Sequence, residues 1–202
     1  MRLKNTALFG EGDSTRLQPS VAVIDTGFWG ICCRLNLARH LTKVWATPIL
    51  MPGAVIAELF AKPARTNPIT GALGATWFLD QQAFLDAVLA GLVQPENADH
   101  HYILGFNPGE RDVIDLALEL AMFSGALTTV LINERRAHEF ANRQPGLIAI
   151  SVPEFLVDLH DRGILSIIET VTTFNQLRAM DRTPKLFMNA MATEIRIRGG
   201  SV

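Results

Sequence analysis

Four acidic residues occupy comparable places along this sequence. Asp25 ends the apolar run Val21-Ala22-Val23-Ile24. Glu58 lies one and a half turns into the segment that follows Ile49-Leu50-Met51, Glu110 opens the segment beginning Asn107-Pro108-Gly109, and Glu134 follows the apolar run at 127–132. If the apolar runs are strands of one parallel sheet, the four carboxylates meet at one sheet edge. Carboxylates crowded together repel, and hard divalent cations such as Mg²⁺ or Mn²⁺, which prefer oxygen ligands, neutralise them. A divalent-metal site is the reading that accounts for the set.

Each acid also has a structural reading. Glu58 stands four residues before Lys62, a favourable helix-surface pair, and borders the apolar face of Val55, Ile56 and Leu59. Glu110 stands three residues after Asn107, as in a capping box. Asn133 reads as an N-cap, which makes Glu134 a first-turn acid. Asp25 is harder to read that way, because an acid that directly ends an apolar strand lies at the sheet's functional edge. The signal is the set of four.

Single motifs point elsewhere only weakly. Asp25-Thr26-Gly27 matches the aspartic-protease triplet, but that chemistry needs a second triplet and an all-β fold, and here the triplet leads into a helical pattern. No Gly-x-Gly-x-x-Gly follows the first strand, and no Gly-x-x-x-x-Gly-Lys-Ser/Thr occurs, so the usual phosphate cradles are missing. His100-His101 has no cysteine partners and reads as a solvated loop rather than a zinc site. The adjacent Cys32 and Cys33 fall in a helical pattern that points them apart, against a mutual disulfide and in favour of a reducing compartment.

The elements that must position the acids follow from periodicity. Strands are predicted at 21–24, 49–51, 92–93, 127–132 and 147–152, and helices at 28–44, 52–62, 77–90, 107–124, 134–142 and 154–162. The last helical stretch runs from about 174 to 197. Strands that alternate with helices and read as continuous apolar runs predict an α/β fold, a three-layer α/β/α arrangement around a parallel sheet, with additional C-terminal helices. Three parts are expected: a flexible arm at 1–19, a catalytic domain at 20–170 and a helical extension with a tail at 171–202. The 49% hydrophobic and 19% charged composition supplies a core for the 202 residues.

Charge and hydropathy exclude some functions. A net charge of -2 argues against a protein that coats nucleic acid through bulk electrostatics. Between Asp80 and Glu119 there are eight acids and one base, Arg111, whereas Arg178, Arg182, Lys185, Arg196 and Arg198 form a basic end. The richest apolar stretch, 113–127, carries Asp115 and Glu119 and falls short of the ~20 apolar residues a membrane span needs. The first fourteen residues hold no signal-peptide core. A cytoplasmic protein without a membrane partner is expected.

Four segments together, Val21-Ala-Val-Ile-Asp25-Thr26, Pro52-Gly-Ala-Val-Ile-Ala-Glu58-Leu, Asn107-Pro-Gly-Glu110-Arg-Asp-Val-Ile-Asp-Leu-Ala117 and Leu131-Ile-Asn-Glu134-Arg135-Arg136-Ala, resemble the PIN-domain family over roughly 21–165. This family comprises metal-dependent nucleases and includes the ribonucleases of toxin-antitoxin pairs. The Gly-Glu opening and the Arg-Arg-Ala segment resemble its predicted nucleic-acid-binding branch. The resemblance implies a Mg²⁺- or Mn²⁺-dependent endoribonuclease with Asp25, Glu58, Glu110 and Glu134 as catalytic acids, of which Asp25, Glu110 and Glu134 hold the metal. Thr26, Arg135 and Arg136 are the candidate substrate-binding residues. Related sequences tend to have an acid where Asn133 stands. Either Glu134 takes over that role or the site is degenerate, which would leave a nucleic-acid-binding or protein-interaction module.

The expected partners are RNA and, in the toxin reading, an antitoxin-like protein. A homo-oligomer is also expected, because Phe174, Leu177, Met180, Leu186, Phe187, Met188 and Met191 supply more apolar surface than a terminal helix leaves in water.

Overall fold

A computed structural model describes residues 21–45, 47–61, 72–180 and 183–202, with side chains omitted at 72–79. The expected N-terminal arm at 1–19 and Lys62 lie outside the described residues. The chain runs β1 (Val21–Ile24), α1 (Thr26–Arg34), α2 (Ala38–Val44), β2 (Ile49–Met51), α3 (Gly53–Phe60), α4 (Ala72–Leu89), β3 (Val93–Pro95), α5 (Pro108–Ser124), β4 (Thr128–Leu131), α6 (Arg135–Ala141), β5 (Leu147–Ile150), α7 (Val152–Asp161), α8 (Ile167–Ala179) and α9 (Lys185–Ile197). The five strands form one parallel sheet in the order β3-β2-β1-β4-β5, with helices on both faces. This is the expected three-layer α/β/α class.

The strand order decides where function can reside. From β1 the chain builds outward through β2 to β3, then returns to the other side of β1 to lay down β4 and β5. Connections leave the carboxyl ends of β1 and β4 in opposite directions, and the resulting gap is the usual ligand crevice of an open α/β sheet. Ile24 pairs with Leu131, and the Asp25 amide donates to the Leu131 carbonyl at 3.0 Å. The residues that follow these two strands are therefore forced together.

Local chemistry sets the helix ends. Asn107 caps α5 by accepting from the Glu110 amide at 2.9 Å, Pro108 takes the first turn, and Gly125 closes the helix in the left-handed conformation at φ 65°. Ser151 and Ser166 start α7 and α8 with reciprocal capping boxes.

Two predicted helices are divided. The 28–44 stretch breaks at Asn36, whose φ of 56° is tolerated by an Asn side chain and ends the α-helical run. The 174–197 stretch ends one helix at Ala179 and begins another at Lys185, where Pro184 cannot continue the preceding ladder.

The C-terminal helices pack within the chain. α8 and α9 lie against α7 and against each other, and Phe174, Leu177, Phe187, Met188 and Met191 are buried there. Arg198 locks the end of α9 to α7 through a two-pronged contact with Asp161, 2.6 and 2.7 Å. Of the residues that suggested a free apolar face, Leu186 stays 43% exposed. The argument for an oligomer from this surface is thereby removed, because the chain itself covers it.

Among the described residues, no helix is long and apolar enough to cross a membrane. Phe155, fully buried, stacks on Trp45 and tilts against Phe28, each at 5.8 Å between ring centroids, and so joins α7 to α1 and the end of α2. Phe155→Ala is expected to cost about 3–5 kcal/mol in urea unfolding with little change in slope; a loss below about 1 kcal/mol would show that the cluster is dispensable.

Candidate carboxylate site

Asp25, Glu58, Glu110 and Glu134 line one cavity of about 580 Å³, together with Thr26, Gly27, Gly30, Arg34, Asp80, Asn107, Asn133 and Arg135 among its walls. The sequence distances are large, and the fold closes them at the gap between β1 and β4.

Asp25 follows β1 in extended conformation and caps α1, its Oδ2 accepting from the Gly27 amide at 2.9 Å. It is 8% exposed. Burial pushes its carboxyl up to about 7; the Gly27 N–H opposes this, and the charges of Glu58 and Glu110 add to it. Glu58 comes from the exposed side of α3. Its Oε2 accepts from the Thr26 hydroxyl at 2.9 Å and its Oε1 from the Gly109 amide at 3.2 Å, so this one carboxylate ties α3 to the starts of α1 and α5. A Cβ at position 109 would lie 2.6 Å from Glu58 Oε1, so a larger residue there would displace this carboxylate. Thr26, expected as a substrate-binding residue, thus donates its hydroxyl to a neighbouring acid.

Glu110 stands in the first turn of α5, and its carboxyl is raised first by burial and then by Glu134, with Glu58 a smaller contributor. Glu134 differs from expectation in its local role. It is itself the N-cap of α6, accepting from the Ala137 amide at 2.7 Å, and Asn133 does not cap. Asn133 is buried, with Oδ1 accepting from the Val152 amide and Nδ2 donating to Thr183 Oγ1, both at 3.3 Å.

The two candidate phosphate-binding arginines separate. Arg135 lines the cavity while its Nε donates to Glu139 at 2.8 Å. Arg136 instead lies over the Phe106 ring at 4.9 Å. Two residues missed from the sequence, Arg34 and Asp80, face each other across the wall in a 2.7 Å ion pair. The available signal was the spacing of Gly27, Gly30 and Arg34, which places them along one side of α1; Asp80 lies in the predicted helix at 77–90, where nothing in the pattern marked it as a site residue.

The donor set fits a hard divalent cation: oxygen-only, with the innermost acid held in a charge-poor, acid-rich setting that a cation would relieve. The spacing is looser than a finished coordination shell. Among the described residues, the group of three ligand atoms lying within 4.8 Å of one another is His101, Asp112 and Asp115. Those acids are already occupied. Asp115 accepts from the Tyr102 amide and contacts His101 at 3.3 Å, and Asp112 is paired with Arg111 at 2.9 Å. With Glu119, which accepts from the Asp99 and His100 amides, they pin the loop before α5. His100 and His101 stay largely exposed, as a solvated loop requires.

Cys32 and Cys33 are free. Burial holds the Cys32 thiol well above its ordinary value and pushes Cys33, with Asp80 adding to the effect, to about 12. Both settings favour the protonated thiol over the thiolate.

No protein-family model matches the chain, and no curated protein matches its sequence.

Asp25 gives a pH signature. Its carboxyl moves from 3.8 to about 7 on folding, so between those values the folded state holds a proton that the unfolded chain has lost, and stability falls as pH rises through that window. Asp25→Asn keeps a capping oxygen without the charge. In EDTA the variant is expected to melt higher than wild type at pH 8 and to converge with it near pH 4, as read by thermal unfolding. A variant that melts lower at pH 8 would show that the buried charge is already compensated.

Proposed function

We propose that this protein is a Mg²⁺- or Mn²⁺-dependent phosphodiesterase acting on RNA. The observation that carries the reading is the convergence of four acids, from four separate segments, on the cavity at the β1–β4 gap. The choice of RNA rests on the resemblance of the four motifs to PIN-domain ribonucleases. A toxin-type role with an antitoxin-like partner follows from the same resemblance.

Asp25, Glu110 and Glu134 would hold the cation, which when bound supplies an activated water and charge stabilisation for in-line displacement. The residues of the chain do the rest. Asp25 gives the innermost charge on a rigid strand end. Glu58, fixed by Thr26 and Gly109, is placed to orient a water through whichever oxygen lone pairs remain free. Glu134 gives one oxygen to the cap of α6 and keeps the other for the cavity. Arg135 stands at the rim, where its contact with Glu139 is exposed and readily exchanged for a phosphate.

A second reading, a binding module on the same scaffold without turnover, draws on Asn133. Its side chain is engaged with Val152 and Thr183, so the position supplies no ligand charge.

Purified protein is expected to cleave single-stranded RNA with Mn²⁺ or Mg²⁺ and to stop in excess EDTA. Glu110→Gln should lower kcat by about a hundredfold or more, given the 10–100-fold cost typical of disturbing even outer-shell metal partners. Cleavage that persists undiminished in EDTA would overturn the reading, and an absence of both cleavage and Mn²⁺ binding by titration calorimetry would favour the binding module.

A further inference from the structure

A phosphate chain entering a cavity walled by four carboxylates needs positive charge fixed in that wall, apart from any cation the carboxylates hold. Among the described residues lining the cavity, Arg34 and Arg135 are cationic. Arg135 has a 57% exposed side chain and is engaged with Glu139 on its own helix. Arg34 is built in. Its side chain is 22% exposed, and its Nη2 donates at 2.7 Å to the nearly buried Asp80 carboxylate. The Asp80 carbonyl accepts from the buried Trp29 indole N–H at 3.1 Å, which fixes this part of α4 against α1.

Two further observations single out Arg34. Its Nε is buried and has no hydrogen-bond partner. The Nε is sealed from the cavity, so it is the remaining N–H groups of the guanidinium that a ligand meets. The ion pair also lies on the bare side of Gly30, where a Cβ would stand 3.1 Å from Asp80 Oδ2 and 3.4 Å from Arg34 Nη2. Gly30 is one turn along α1 from Gly27, whose own missing Cβ would stand 3.0 Å from Asp25 Oδ2. The contact with the guanidinium and the contact with the Asp25 carboxylate therefore lie about one helical turn apart on the same side of α1.

We propose that Arg34 binds a backbone phosphate of single-stranded RNA flanking the scissile one, and that Asp80 is the positioning residue that holds the guanidinium over Gly30. Arg34 offers the planar fork that phosphate oxygens match, and Asp80 occupies part of it so that the remainder faces a single direction. The choice of RNA rests on the phosphodiesterase reading; the phosphate contact itself is separable from cleavage.

The test measures binding of a fluorescent single-stranded oligoribonucleotide by anisotropy, across a salt series with Ca²⁺ present, beside cleavage assays in Mn²⁺. Arg34→Gln should weaken binding about tenfold and reduce the slope of log affinity against log salt by about 0.7, the value for one lost phosphate contact on a single strand. Arg34→Lys, which keeps the charge, should retain the slope and recover part of the affinity. The double variant R34Q/D80N removes both charges, which guards against misfolding from an Asp80 charge that has lost this arginine, and should show the same reduced slope. In Mn²⁺, Arg34→Gln should raise KM with kcat nearly preserved. An unchanged slope in both neutral variants, or no RNA binding by the wild type at low salt, overturns the proposal. A reduced slope in a protein that never cleaves RNA would uphold the phosphate contact and overturn the nuclease reading.

Discussion

The carboxylate of Asp25 is the constraint around which the site is arranged. Its backbone is fixed to β4 through the Leu131 carbonyl, and its side chain is committed to the first turn of α1, so it cannot swing out to water. The fold has thus placed a nearly buried acid at the point where a parallel sheet changes direction, with Glu58 and Glu110 close enough to raise its carboxyl further. Its burial costs stability at neutral pH, and the bond from the Gly27 amide offsets part of that cost.

Neighbouring acids are held in ways that limit their escape. Glu58 has its two oxygens on Thr26 and Gly109, and Glu134 has one on the Ala137 amide. Each contact also organises a helix start, so the same bonds that cap or tether helices aim charge into the cavity. The helix N-termini contribute favourable partial charge to both Asp25 and Glu134, yet this is too little to restore an ordinary carboxyl at Asp25. Arg34 and Asp80 form a second, internally neutral pair on the adjoining wall, and this keeps a cation near the acids without cancelling them.

Much of this was legible because it depends on local rules. Apolar runs and helix caps gave the alternation of strands and helices, and the residues after each strand gave the acids, since a parallel sheet presents all its carboxyl ends on one side. What depended on tertiary contacts was not legible. Nothing local distinguishes Asp115 and Glu119, which fasten a loop, from Glu110, which faces the cavity, although all three belong to one acid-rich stretch. Arg135 and Arg136 are adjacent, and only the position of Phe106 decides which of them leaves the cavity. The apolar residues of α8 and α9 read as an exposed face because their cover, α7, precedes them in the chain and carries no mark of that role.

The surroundings of Asn133 account for an amide at this position. An aspartate there would place a charge 5% exposed beside Thr183 and the Val152 amide, close to the raised carboxyl of Glu110 and the Glu134 that raises it. An amide satisfies the same neighbourhood by accepting from Val152 and donating to Thr183, a donation a carboxylate cannot make. Thr183 and Pro184 precede α9, and Pro184 also lines the cavity. The amide therefore fastens the end of β4 to the starts of α7 and α9 and leaves the charged work of this edge to Glu134, whose longer side chain both caps α6 and borders the cavity. The Asn133 side chain thereby helps hold the C-terminal helices against the site.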